Sequence, residues 1–186
     1  MKSSPVGSLH PEYVVLGLLA QAPAHGYELH QRLSRDLNQI WHLSQSQIYN
    51  ILNRLERQAY IRGTVYEQEK LPPKRSFELT AKGLEHFQVW LSEPTRSSVR
   101  AIRIEFTTRL YFSLGQDAEF AARLIAEQVI ETSSGLEQLK SLHSNIPEEQ
   151  LFNRLGIELR IRQLDSILDW LDSCLVMAAS FPLAKP

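Results

Sequence analysis

Hydrophobic positions recur three times at helical spacing in the first part of the chain. From His10 to Gln21, Tyr13, Leu16, Leu19 and Ala20 fall on one helical face. Pro11 suits the first position of that helix, and Ala22-Pro23 stops it. After a break at Ala24-His25-Gly26, a second helix is expected over about Tyr27–Leu37, with Tyr27, Leu29, Leu33 and Leu37 as its apolar face. A third begins at Ser44, whose hydroxyl can accept a backbone N–H of the first turn. Ile48, Ile51, Leu52 and Leu55 then make a narrow buried stripe. Opposite them stand Ser46, Asn50, Asn53 and Arg57, flanked by Gln47, Tyr49 and Arg54.

At Tyr60 the period changes. The stretch 60–68 alternates and is rich in β-branched and aromatic residues, Leu71-Pro72-Pro73 reads as a turn tip, and 75–79 alternates again as a returning strand. Thr80 caps a fourth helix that tolerates Gly83, carries Leu84, Phe87, Val89, Trp90 and Leu91, and ends before Pro94. Three helices, a hairpin and a helix are the order of a winged helix-turn-helix, whose third helix reads and whose hairpin is the wing.

The remainder is helical throughout. Ile102, Phe106, Leu110 and Leu114 share a register over 99–114. A long helix over 116–143 carries Phe120, Leu124, Ile125, Val129, Leu136 and Leu139. Pro147-Glu148-Glu149 opens a last one through Leu151, Leu155, Ile161, Leu164, Ile167, Leu168, Leu171 and Leu175. At about 1.5 Å per residue the two long helices reach about 40 Å, more than the small head covers, so their stripes call for a partner, most simply a second copy. The fold class is therefore mainly α: a winged helix-turn-helix domain over 1–95 and a C-terminal helical dimerisation domain over 96–186. Phe106, Leu110, Leu164, Ile167, Leu168 and Leu171 are the candidate dimerisation residues.

Composition narrows the class further. With 43% hydrophobic and 22% charged residues the chain is of globular type. No apolar run is long enough to span a membrane, and the start carries no apolar signal core, which points to a cytoplasmic protein. The single cysteine, Cys174, sits among apolar residues, where a buried thiol is expected, and it excludes an internal disulfide. The net charge is −1, but the stretch from Arg32 to Lys82 holds nine basic and five acidic residues. A locally basic segment in an otherwise acidic chain suits a focused phosphate contact.

The chemistry on the third helix fits that contact. Asn and Gln pair bidentately with adenine, and Arg with guanine, in the major groove. Ser44, Gln45, Ser46, Gln47, Tyr49, Asn50, Asn53 and Arg54 are the candidate reading residues, with the Tyr49 hydroxyl directed to a phosphate. In the wing, Lys70, Lys74 and Arg75 flank the Pro-Pro tip and would grip the backbone of double-stranded DNA. Trp90 and Trp170 are candidates for the wall of an effector pocket, or else core anchors. His25 in His25-Gly26-Tyr27-Glu28 reads as part of a turn. The six histidines show no metal-ligand set, and no nucleophile or phosphate-loop motif appears, so no metal, cofactor or catalytic residue is expected.

These same residues resemble the PadR family of bacterial transcriptional regulators. The resemblance is carried by Leu16-Gly17-Leu18-Leu19, Pro23-Ala24-His25-Gly26-Tyr27-Glu28-Leu29, Ile48-Tyr49, Leu52, Arg54-Leu55-Glu56, Pro73-Lys74-Arg75, Leu79-Thr80, Gly83 and Trp90-Leu91, and more faintly by Arg103-Ile104-Glu105-Phe106. The sequence departs from the family pattern at Gln45-Ser46-Gln47, at Asn50 where a Pro is usual, and at Ala59 where a Gly is usual. The resemblance implies a homodimeric repressor with long C-terminal helices, in some members responsive to a small molecule. A protein-interaction module that kept the fold without DNA binding is the competing reading; an enzyme is the weakest.

Overall fold

The computed structural model describes residues 10–66 and 74–180. It is mostly helical, with one small sheet, and divides into two compact units meeting in sequence at Glu93 and Pro94.

In the first unit, α1 (Glu12–Gln21) is the hub, touching α2 (Gly26–Asp36), α3 (Gln45–Arg57), α4 (Ala81–Ser92) and β3 (Lys74–Leu79). This position explains one departure from the sequence pattern. Every residue from Val14 to Leu19 is buried, while Ala20 is exposed, so α1 is apolar nearly all round rather than on one face. Pro11 stands just outside the helix, as its N-cap. The stripe on α3 is as expected: Ile48, Ile51, Leu52 and Leu55 are all buried. On α2, Leu29 and Leu33 are buried, but Tyr27 is 53% exposed and does not join the apolar face. On α4, Phe87, Trp90 and Leu91 are buried, whereas Leu84 and Val89 face outward.

The sheet has three strands where the sequence suggests two. Ala24–His25 forms β1, pairing antiparallel with β3, and β2 (Ile61–Tyr66) pairs with the other edge of β3. The Ala24-His25 break is thus a strand too short to show a period. β2 begins one residue later than the alternating run suggests, at Ile61, and β3 begins one residue earlier, at Lys74.

Helix α3 ends in a paired hydrogen-bond motif: Tyr60 N–H donates to the Leu55 carbonyl at 3.0 Å and Ala59 N–H to that of Glu56 at 2.9 Å. The turn requires a left-handed residue, and Ala59 takes it with φ of 59°. A side chain there costs about 1–2 kcal/mol, partly offset by the greater unfolded-state freedom of glycine. Ala59→Gly is therefore expected to stabilise the chain by about 0.5–1 kcal/mol, readable as a higher urea midpoint at unchanged slope.

The first unit carries a stacked column: Tyr60 on His86 at 4.4 Å between centroids, His86 against Tyr13 at 5.2 Å, and Tyr13 on Trp90 at 4.6 Å. Burial holds the His86 imidazole below its usual range, opposed by Glu12, assisted by Lys82 and opposed again by Glu93.

In the second unit, the stretch 99–114 is helical as expected but not uniform. Two α-helical pieces, α5 (Val99–Ala101) and α6 (Thr107–Leu114), flank a π-helical turn at Ile102–Phe106. Helix α7 (Ala118–Asn145) is N-capped by Asp117, whose carboxylate accepts from Glu119 and Phe120 N–H. Helix α8 (Leu151–Ser180) begins at Leu151, four residues after Pro147, since 147–149 form a separate turn. Helices α7 and α8 run antiparallel. Leu136 and Leu139 pack on Leu164 at one end, and Ala121, Leu124 and Ile125 share a cluster with Leu171, Cys174 and Ala178 at the other. The long stripes thus do find partners within the chain, contrary to the length argument. Phe106, Leu110, Leu164 and Leu171 are buried inside this unit, and Ile167 and Leu168 are half-buried against the same clusters. Cys174 is buried as expected, and burial pushes its thiol up. A buried polar group sits among these helices: Arg109 donates to Thr95 Oγ1 at 2.5 Å, and Gln128 Nε2 to the Thr95 carbonyl at 3.0 Å.

Candidate nucleic-acid interface

Helix α3 is pinned at its start by a reciprocal cap. Gln47 N–H donates to Ser44 Oγ at 3.2 Å, and Ser44 N–H donates to Gln47 Oε1 at 2.8 Å. Ser44 and Gln47 are therefore engaged in holding the helix end. At the far end of the helix, Arg54 is drawn away to Glu12, at 3.1 Å.

The remaining candidates form an exposed polar strip. Gln45, Ser46, Asn50 and Asn53 are exposed, and their side chains make no hydrogen bond among the described residues. The buried stripe of Ile48 and Leu52, both at 0% exposure, fixes which way that strip faces. Tyr49 lies on its flank, 41% exposed. Its ring rests on the first turn of α2: a Cβ at Gly26 would stand 2.7 Å from Tyr49 Cε1, so only glycine permits this approach.

The wing is joined to α3 through Glu56. Its carboxylate accepts from Arg75 at 2.6 and 2.7 Å and from Gly63 N–H at 3.0 Å, linking the helix to both wing strands. Arg75 also lies over the Phe77 ring, 5.2 Å from its centroid. Arg75 is thus a brace of the wing root, with Lys74 exposed beside it. Lys70 and the Leu71-Pro72-Pro73 tip lie outside the described residues. Arg62, on β2, is paired with Glu78 of β3 at 2.8 Å.

Sequence reasoning missed two parts of this site. Glu56 looked like one acid diluting a basic stretch. His25 looked like a turn residue, yet its Nδ1 is 2.9 Å from the Arg75 carbonyl and its backbone N–H donates to Glu28 Oε2 at 2.9 Å. A clue for Glu56 was available: an acid at the end of a polar helix, in a segment with an excess of cations.

Trp90 lies in the first unit, stacked on Tyr13, and Trp170 lies in the second, edge-on to Phe106 and 36% exposed. Among the described residues no helix is long and apolar enough to cross a membrane, and no group of His, Cys, Asp and Glu is placed to hold a metal ion.

Comparison with known proteins follows the division into units. Residues 15–89 match the transcriptional regulator PadR-like family, and residues 102–177 match a family described as virulence activator alpha C-term. A probable transcriptional regulator of Mycobacterium tuberculosis is 27% identical over 177 residues, spanning 87% of this chain and 93% of that protein. The negative transcriptional regulator PadR of Bacillus subtilis is 24% identical over 177 residues, spanning 89% of this chain and 96% of its own. Among solved structures, B. subtilis PadR in complex with operator DNA matches with 24% identity over 90% of this chain and 98% of that one, at a TM-score of 0.44.

Proposed function

We propose that this chain, whose residues 15–89 match the transcriptional regulator PadR-like family, is a regulator of that kind, repressing transcription in the cytoplasm as a homodimer bound to a specific double-stranded operator. The observation that carries the reading is the exposed strip Gln45, Ser46, Asn50 and Asn53 on a helix whose opposite side is fully buried. Its amides suit adenine edges in the major groove. Ser44, Gln47 and Arg54 support the helix rather than read, and Tyr49 reaches a phosphate from its flank. Lys74 and Lys70 carry the wing's phosphate contact, and Arg75 holds the wing root to Glu56.

The wing assignment has a direct test. Each phosphate neutralised on duplex DNA adds about 0.9 to the slope of log K against log salt. Lys74→Ala is expected to weaken binding to all sequences alike and lower that slope by about 0.9. A changed sequence preference with an intact slope would overturn the assignment. A protein-interaction module would bind no duplex even at low salt.

For the dimer, the burial of Phe106, Leu110, Leu164 and Leu171 within one chain shifts the expected contact to the outer side of α8. There Leu151, Phe152, Leu155 and Leu159 are exposed at helical spacing, Phe152 at 86%. Ile167 and Leu168, half-buried against the α7–α8 clusters, lie farther along the same helix. Phe152→Asp with Leu155→Asp is expected to convert a dimer to a monomer in sedimentation at micromolar concentration. A wild-type chain that sediments as a monomer removes the dimer altogether. A small-molecule effector would act by altering the spacing of the two reading helices.

A further inference from the structure

Helix α8 carries a second stripe, turned away from the one that packs on α7. Phe152, Gly156, Leu159 and Gln163 begin it, and Ser166, Trp170, Ser173 and Met177 complete it. All are exposed, and the steps between them alternate between four and three residues. Steps of that kind keep a stripe facing one partner helix along its whole length.

The stripe is self-complementary when reversed. A two-fold axis crossing α8 between Leu164 and Asp165 sets Phe152 against the partner's Met177 and Leu159 against the partner's Trp170, large apolar on large apolar. The same axis sets Gly156 against the partner's Ser173, small on small, and Gln163 against the partner's Ser166, polar on polar. Each contact then occurs twice, as in any contact between identical patches.

One flank of the stripe fits the same axis. Leu155, Arg162, Asp169 and Val176 follow one another every seven residues, and all are exposed. The axis brings Leu155 to the partner's Val176 and Arg162 to the partner's Asp169. Arg162 already donates to Glu158 at 2.6 Å, and its fork of donors can serve a second carboxylate. Asp169 makes no ion pair among the described residues. A parallel pair in register meets none of these charges. It would flank Leu155 with the partner's Arg160, Arg162 with the partner's Ile167 and Asp169 with the partner's Cys174.

We propose that α8 pairs antiparallel with α8 of a second copy of this chain, on a two-fold axis between Leu164 and Asp165. The proposal rests on the dimer reading above and adds an orientation and a register to it.

The test is cysteine cross-linking of the full chain in a Cys174→Ala background, which leaves the large apolar contacts in place. Gly156 and Ser173 lie about 25 Å apart along one helix at about 1.5 Å per residue, whereas a disulfide needs Cα atoms within about 7 Å. Gly156→Cys with Ser173→Cys should therefore oxidise to a covalent dimer, and each single variant should not. An equimolar mixture of the two single variants should cross-link to each other. Single variants that cross-link to themselves would show a parallel pair and overturn the proposal. A chain that sediments as a dimer while the double variant stays uncross-linked also overturns it, and leaves the dimer standing. A wild-type monomer at micromolar concentration overturns both. Should the Cys174→Ala background not fold, charge reversal decides. Arg162→Asp and Asp169→Arg should each weaken self-association about tenfold, and their mixture should restore it as a heterodimer. No preference for the mixture sinks the register.

Discussion

Gly83→Ala should cost about 3 kcal/mol or more, although the substitution raises helix propensity and adds one methyl group. At that position an added Cβ would lie inside the Tyr60 carbonyl oxygen and 2.8 Å from its carbonyl carbon. The obstacle is backbone, so it cannot swing away, and overpacking against it falls at or beyond the upper end of the usual 1–3 kcal/mol. The same turn is tied to the end of α3. Thr80 Oγ1 donates to the Ala59 carbonyl at 2.8 Å and accepts from Gly83 N–H at 3.0 Å, and Lys82 Nζ donates to the Gln58 carbonyl at 2.9 Å. Moving α4 outward strains all three. Gly156→Ala is the matched control: it sits in α8 with nothing within 4 Å of an added Cβ. There alanine should stabilise by about 0.5–1 kcal/mol. Thermal melts of the two variants should therefore shift in opposite directions. A neutral Gly83→Ala would mean that α4 does not approach Tyr60 as closely as described.

The second large effect separates reading from packing on one helix. Leu52→Ala opens a cavity at a fully buried position and should cost about 2–5 kcal/mol of stability. Asn50→Ala removes an exposed side chain with no hydrogen bond among the described residues, so the melt should hardly move. Losing a bidentate base contact costs about 1–3 kcal/mol of discrimination. Operator affinity should therefore fall about 5- to 150-fold, with non-specific binding unchanged. The operator is obtained by selection from a random duplex pool, and both DNAs are compared at one salt concentration. Should Asn50→Ala weaken both equally, or melt early, the strip does not face a base edge.

The head was legible because its signals are local. The buried stripe on α3, the Ser44 and Thr80 caps and the alternation of the wing each depend on neighbours within a few residues. What escaped depends on contacts distant in sequence. Gly83 and Gly156 look alike in a helical pattern, and only the position of Tyr60 tells them apart. β1 pairs residues 24–25 with 76–77, and two residues carry no period. In the candidate site, the polar strip was visible as a pattern. That Gln47 would be consumed by a cap, Arg54 by Glu12 and Arg75 by Glu56 required the fold. The C-terminal stripes are plainly apolar in the sequence, but helix length alone cannot distinguish a partner molecule from an antiparallel neighbour.

The central place of β3 also governs how this protein is made. A ribosome releases α1, β1, α2 and α3 first, yet β1 has no strand to pair with until residues 76–77 emerge, and α1 lacks its cover until α4 follows. During that interval the nascent chain exposes Val14–Leu19, six consecutive residues that end up buried, a sequence suited to sticking to other chains. Translation pauses before Leu91 would lengthen that exposure. The C-terminal unit folds afterwards on contacts of its own, so a head that fails to close in time leaves a chain with intact long helices and no reader.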